Sequence, residues 1–175
     1  MITYQIMSQE HVNQLGEIDR SEHIDLIYVM DQDQLLELEQ NHECPNWNED
    51  LLEAIKTRYL YEIQNGGLAV GAFSGSKLAG FGVLAHKFRG IDRDRLQVDL
   101  MYVSREYRRQ GIGTRILTQL GEEARSRGAK YLYISSTETR SAVSFYKSQG
   151  SQITNEVDQE LYDMEPQDIH MIKKL

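Results

Sequence analysis

Residues 98–113, VDLMYVSREYRRQGIG, leave the chain around them little freedom. An apolar run of strand character, Leu96 to Val103, passes into a basic loop. The loop enters a helix that opens at Gly111 and carries Ile112, Ile116, Leu117, Leu120 and Ala124 on one stripe, ending at Arg127-Gly128. The first turn of a helix presents backbone N–H groups without internal partners, at the positive end of the helix dipole. Glycine there removes the side chain that would hold an anion away from those donors. Arg105, Arg108 and Arg109 add positive charge to a chain whose formal net charge is −8. Local charge set against the global charge suits a phosphate-bearing ligand, and a solvated basic turn with a glycine needed for helix packing is the competing reading. Two familiar phosphate motifs fail on the letters. No GxxxxGK[ST] string occurs, and a G-x-G-x-x-G fingerprint begun at Gly111 ends on Ile116.

The elements around this turn follow from periodicity and glycine punctuation. Thr3 to Met7 reads as a strand and Glu10 to Arg20 as a helix on Val12, Leu15 and Ile18. Residues 21–48 are rich in Asp, Glu and Gln, and their apolar cluster Ile24 to Val29 suits either strand or loop. Leu51, Leu52, Ile55, Tyr59 and Leu60 mark a helix stopped by Asn65-Gly66-Gly67. Leu68 to Phe73 and Lys77 to Ala85 read as antiparallel strands around Ser74-Gly75-Ser76, with a polar loop from Arg89 to Arg95. Tyr131 to Ser135 is a strand, Arg140 to Gln149 a short helix closed by Gly150, and Ile169 to Lys173 the last strand. This order predicts an α+β fold with a mixed sheet and one strand–helix–strand crossover, in a single domain over 1–175.

Composition narrows the function classes. At 40% hydrophobic and 26% charged residues the chain is globular rather than disordered. Its acidity argues against nucleic acid and anionic lipid as general partners and permits a cationic substrate. No run of eighteen apolar residues occurs, and the start MITYQIMSQE has no secretory pattern. One cysteine, Cys44, makes neither an intramolecular disulfide nor a CxxC site, which fits a cytoplasmic location. His42-Glu43 lacks the second histidine of HExxH, since Asn46 stands there, and His42-Glu43-Cys44 lacks the PCxxC of a zinc deaminase. No metal site is expected.

Arg108-Arg109-Gln110-Gly111-Ile112-Gly113 fits the pattern [QR]-x-x-G-x-[GA] and resembles the signature of the GCN5-related N-acetyltransferases (GNAT). Val103 and Glu106-Tyr107 match the usual lead-in to that pattern. Ala142 to Gly150, AVSFYKSQG, resembles the family's second signature, at the expected spacing, and Asp168 to Leu175 resembles its common last strand. The likeness spans roughly residues 77–175. Residues 8–65 match no motif and fall in the family's variable, substrate-side part. Thr139 stands where the family often has asparagine, and Ser151 follows Gly150 where phenylalanine is usual. A looser likeness to streptothricin acetyltransferases lies in the acidic start and in Glu160 to Asp163.

The resemblance implies a twisted, mostly antiparallel sheet with helices on both faces, and acetyl-CoA as co-substrate. It implies that backbone amides of Arg109, Gln110, Gly111, Ile112, Gly113 and Thr114, beside Arg108, cradle the pyrophosphate. The strand Met101, Tyr102 and Val103 would pair with the pantetheine arm and offer a backbone N–H to the thioester oxygen. Tyr146 matches the tyrosine proposed to protonate the leaving thiolate, a role a neutral phenol can fill. Asp99 matches an acidic position found in many relatives. The alternation of the strand puts it on a face with Gln97, Met101 and Val103, opposite Leu96, Val98, Leu100 and Tyr102. It is a candidate base or counter-ion for the acceptor, and a carboxylate reaching solvent at the sheet's open end is the alternative. The run Glu156, Asp158, Glu160, Asp163, Glu165 and Asp168 has no basic residue among them and reads as a solvated loop, or as an attractor for a polyamine.

The function expected is transfer of an acetyl group to a primary amine of a small molecule, a polycationic one included, directly in a ternary complex. Cys44, distant in sequence from the motifs, gives no footing to an acyl-cysteine intermediate. A non-catalytic acyl-CoA-binding partner protein of the same fold and a protein N-acetyltransferase are the alternatives, and a homodimer is compatible with either.

Overall fold

The computed structural model describes residues 1–175. In chain order the first elements are β1 (Ile2–Met7), a 3-10 helix (Gln9–Glu17), β2 (Glu22–Asp31), β3 (Gln34–Cys44) and α1 (Glu49–Gln64). The middle comprises β4 (Leu68–Ser74), β5 (Lys77–Arg89), β6 (Arg95–Val103) and α2 (Ile112–Ser126). The end comprises β7 (Tyr131–Ser136), α3 (Arg140–Ser148), β8 (Gln152–Ile153), α4 (Gln159–Met164) and β9 (Ile169–Lys174). The main sheet has seven strands in the order β1-β4-β5-β6-β7-β9-β8. Only β6 and β7 pair in parallel, the two strands joined through α2. The result is the mixed, mostly antiparallel sheet expected.

Two apolar layers cover the sheet. On one face Ile112, Ile116, Leu117, Leu120 and Ala124 of α2 pack with Val143 and Tyr146 of α3 against Val70, Leu96, Val98, Leu132 and Met171. On the other, Leu15 and Ile18 join Ile55 and Tyr59 of α1 over Met7, Phe73, Phe81, Val83 and Leu100. The stripe read for α2 is its buried face, because a 3.6-residue period puts such positions on one side of a helix, while in α1 Ile55 and Tyr59 are buried with Leu52 and Leu60 against them and Leu51 is exposed.

Three expectations are revised, and the open reading of residues 21–48 is decided for strand. The helix over 10–20 is a 3-10 helix that stops at Glu17, with Ile18 already extended. Tertiary partners capture the chain just beyond: Ser104 Oγ accepts from the Asp19 amide at 2.8 Å, and the Arg105 amide donates to Asp19 O at 2.9 Å. Residues 22–44 form a separate hairpin turned at Gln32 and Asp33, whose φ angles of 47° and 68° fit a tight two-residue turn. β5 runs on to Arg89 instead of ending at Ala85. Cys44, remote from the basic turn in sequence, closes β3 next to Glu43, which pairs with Arg105 of that turn at 2.9 Å.

Candidate functional site

The basic turn ends in a row of free donors. No backbone acceptor takes the amide of any residue from Arg109 to Thr114, and the first to be used, Arg115 N, donates to Gly111 O at 3.1 Å. Arg109 (φ 61°) and Gly111 (φ 82°) are both left-handed, which turns neighbouring N–H groups toward a common concavity of the kind that holds phosphate oxygens. Glycine takes that conformation without strain at 111, while Arg109 adopts it against its own preference. At Gly113 a Cβ would lie 3.1 Å from the Phe145 ring, so glycine there lets α3 pack beside the first turn of α2.

The arginine side chains act differently from one another. Arg108 donates to three backbone carbonyls, Val103 at 2.9 Å, Ser21 at 2.9 Å and Asp19 at 3.2 Å. It stitches the end of β6 to the segment before β2. Arg105 donates to Ser21 Oγ at 3.2 Å and pairs with Glu43 at 2.9 Å, tying down the hairpin. Arg109, which is exposed, is the one of the three without a side-chain partner in the fold. Glu106 is an exposed loop residue paired with Lys77 at 2.6 Å.

Beside this turn the sheet opens. β6 and β7 pair only from Arg95↔Tyr131 to Gln97↔Tyr133 and then separate, leaving Val98 to Val103 without a strand on that side. On its other side β6 shifts register against β5, Leu84 facing Val98 and Val83 facing Leu100, so Asp99 is the extra residue of a β-bulge. A bulge puts consecutive side chains on one face and bends the strand away from its neighbour. The expected alternation therefore breaks at Asp99. Met101 and Val103 lie with Leu96 and Val98 on the α2 side, and Leu100 and Tyr102 lie on the α1 side. Asp99 joins that α1 side, where Arg58 of α1 donates to its carboxylate at 2.9 Å and to its carbonyl at 3.0 Å. Burial pushes the Asp99 carboxyl up, and the Arg58 guanidinium opposes that shift.

Tyr146 reaches the opening from α3. Its side chain is 8% exposed, and its hydroxyl has no hydrogen-bond partner in the protein. Burial raises the phenol well above its ordinary range, with Tyr102 and Asp168 acting in the same direction, so it is a neutral donor at physiological pH. Thr139 caps α3 by accepting from the Ala142 amide at 3.4 Å, which holds the helix bearing Tyr146. Ser135 Oγ, near the end of β7, donates to Asp168 at 2.8 Å. Nothing in the sequence marks Arg58 as the partner of Asp99, since α1 carries no motif. No group of three His, Cys, Asp or Glu side chains is arranged to hold a metal ion, and no helix is long and apolar enough to cross a membrane.

A cavity of about 470 Å³ lies elsewhere, between Lys87, Arg89, Arg93, Asp158 and Glu160. Lys87 and Arg89 there are paired with Glu160 and Asp158. The open groove between β6 and β7 has free amides and an unpaired strand edge beside it.

A family model described as the acetyltransferase (GNAT) family matches residues 32–150. Among solved structures, a nourseothricin acetyltransferase superposes with a TM-score of 0.75 at 21% identity, covering 99% of this chain and 98% of that one. A candidate streptothricin acetyltransferase from Bacillus anthracis str. Ames, solved with acetyl coenzyme A, gives 0.75 at 17% identity over 100% and 99% of the two chains. The PaiA N-acetyltransferase of Thermoplasma acidophilum, solved with coenzyme A, gives 0.66 at 20% over 100% and 99%. At such identities the likeness establishes the fold. No curated protein matches the chain.

Proposed function

The chain belongs to the acetyltransferase (GNAT) family, and from that membership we propose that it transfers the acetyl group of acetyl-CoA directly to a primary amine of a small molecule. The observation that carries this reading is the row of unpartnered amides from Arg109 to Thr114 beside the groove between β6 and β7. That row fits a pyrophosphate, and the free edge of Met101 to Val103 fits an amide-bearing arm laid along the strand. Two structures of the same fold, solved with acetyl coenzyme A and with coenzyme A, support the same ligand.

Acetyl-CoA supplies an acyl group on a thioester. The chain's own part is to hold that group, to aim a β6 backbone N–H at the carbonyl oxygen, and to provide a proton for sulfur. A donor so placed contributes on the order of 3 kcal/mol to lowering the barrier. Tyr146 is the proton donor, because its hydroxyl is neutral, unpartnered and at the groove. Asp99, already paired with Arg58, holds α1 against the bulge and shapes the acceptor side.

Two measurements test the reading. Saturating acetyl-CoA should raise the melting temperature, since a ligand specific to the folded state at 100 times its Kd contributes about 2.7 kcal/mol. An unchanged melting temperature refutes cofactor binding. Thiol release over a panel of spermidine, an aminoglycoside, streptothricin and a peptide amine should then reveal an acceptor. Stabilisation by acetyl-CoA with no release from any member points instead to an acyl-CoA-binding partner protein, and release with the peptide alone points to a protein acetyltransferase.

A further inference from the structure

The hairpin of β2 and β3 is anchored at its base and bare toward its turn. At the base Asp25 pairs with Arg140 at 3.1 Å, Glu43 pairs with Arg105 at 2.9 Å, and Ser141 Oγ donates to Glu22 at 2.8 Å. The inner edge of β2 is occupied as well, since the Tyr28 amide donates to Glu138 O at 2.7 Å and Ile27 bridges to Thr139. Toward the turn these ties stop. Asp31, Asp33, Glu37 and Glu39 are exposed, with no basic side chain at ion-pair distance. From Glu22 to Cys44 the chain has no lysine or arginine to offer them.

β3 is the outer strand of this two-stranded sheet, so its far edge has no strand beside it. Such an edge presents a row of unpaired N–H and C=O groups. The register puts Val29 opposite Leu36 and Ile27 opposite Leu38, and directly opposed residues share a face. That face is apolar and uncovered, with Val29, Leu36 and Leu38 exposed to 42%, 44% and 51%. The other face pairs Tyr28 with Glu37 and Leu26 with Glu39. Tyr28 and Leu35 on it rest against the main core, while Glu37 and Glu39 stay in solvent. From Leu36 to Glu39 the open edge therefore alternates leucine on one face with carboxylate on the other.

We propose that the outer edge of β3 takes up, as a third strand, an extended segment of a basic protein in which apolar residues alternate with lysine or arginine. In a strand added there, side chains of one parity meet Leu36 and Leu38, and those of the other meet Glu37 and Glu39. Main-chain hydrogen bonds hold the strand, and the alternation selects it. A second copy of this chain fits poorly. Antiparallel pairing of β3 with itself keeps each residue on its own face, so Glu37 and Glu39 find no lysine or arginine on the copy, and like charges opposed across strands destabilise the pair. Two chains of formal charge −8 also repel as wholes. This docking does not depend on the acetyl-transfer reading above.

The test uses the full chain without acetyl-CoA and a set of short peptides. One alternates valine with lysine, one alternates valine with glutamate, and one has its valines and lysines in separate blocks. Calorimetry should show the first bound about tenfold tighter or better than either of the others. Its affinity should fall as salt is raised. Hydrogen exchange should show new protection of the amides of residues 34–39 when it is added. Exchanging the charges with Glu37→Lys and Glu39→Lys, both at exposed positions, should turn the preference to the glutamate peptide. Leu36→Ser with Leu38→Ser, a milder change on the apolar face, should lose about tenfold for the lysine peptide. Equal binding of the alternating and blocked peptides, protection confined to other strands, or a preference that survives the charge exchange each overturns the proposal. So does a concentration-dependent dimer that protects the same amides, which gives the edge to a second copy. Stabilisation by acetyl-CoA is expected whether or not the peptide binds, so a failure here leaves the cofactor reading standing.

Discussion

The basic turn and the acidic run look like mirror images in the sequence, yet the fold uses them in opposite ways. In the basic turn two of the three arginines are taken up internally, Arg108 by three carbonyls and Arg105 by Glu43, and the anion-binding capacity falls to the backbone. In the acidic run Glu160, Asp158 and Glu156 are paired with Lys87, Arg89 and Arg95, while Asp163 and Asp168 accept from the neutral side chains of Gln159 and Ser135. A charge run therefore does not state which charges face a ligand. The partners contributed by distant elements decide it.

The largest effect that bears on this contrast belongs to Tyr146, the hydroxyl on the acidic side. Tyr146→Phe should lower kcat for thiol release about 100-fold or more while the stabilisation by acetyl-CoA stays unchanged. Equal loss of both would make the ring structural. On the basic side, Arg108→Ala should cost about 2 kcal/mol in urea unfolding, since carbonyls at 103, 21 and 19 lose a charged donor. Arg105→Ala, whose ion pair is solvent-exposed, should leave the urea midpoint unchanged. A similar loss in both would contradict the division of labour between them.

Arg109→Ala should weaken acetyl-CoA binding only about threefold, and mainly at low salt, if main-chain amides carry the anion. A loss of about 100-fold, measured by calorimetry, would return that role to the side chain. The smallest effect concerns stability against pH. Asp168 binds its proton more tightly folded than unfolded, so between its ordinary value of 3.8 and about 7 the wild-type chain loses stability as pH rises. Asp168→Asn should therefore melt higher than wild type at pH 8, by about 2 °C, with the gap closing toward pH 4. A gap independent of pH would mean that the carboxyl is not held protonated by the fold.

Much of the C-terminal architecture was legible because its signals are local. The α2 stripe, Gly111 at a left-handed position and the Ser74-Gly75-Ser76 turn each follow from a few adjacent residues. The hairpin of β2 and β3 was not legible, since most of β3 is exposed on both faces and so shows no buried alternation. The face of Asp99 was misread for a different reason. A bulge is a mismatch between two strands, and β6 alone does not reveal where β5 slips against it.

By itself the sequence determined the crossover, the glycine-opened helix and the position of Tyr146 on α3, since hydrophobic period and φ preference act within one segment. Tertiary structure alone decided that the amides of Arg109 to Thr114 stay free while Arg108 turns back to carbonyls of the N-terminal segment. It alone decided that Asp99 meets Arg58, and that of six acidic residues in one run Glu156, Asp158 and Glu160 find basic partners while Asp163 and Asp168 meet neutral ones. Charge pairing depends on distances between residues far apart in the chain, and those distances exist only once the sheet has formed.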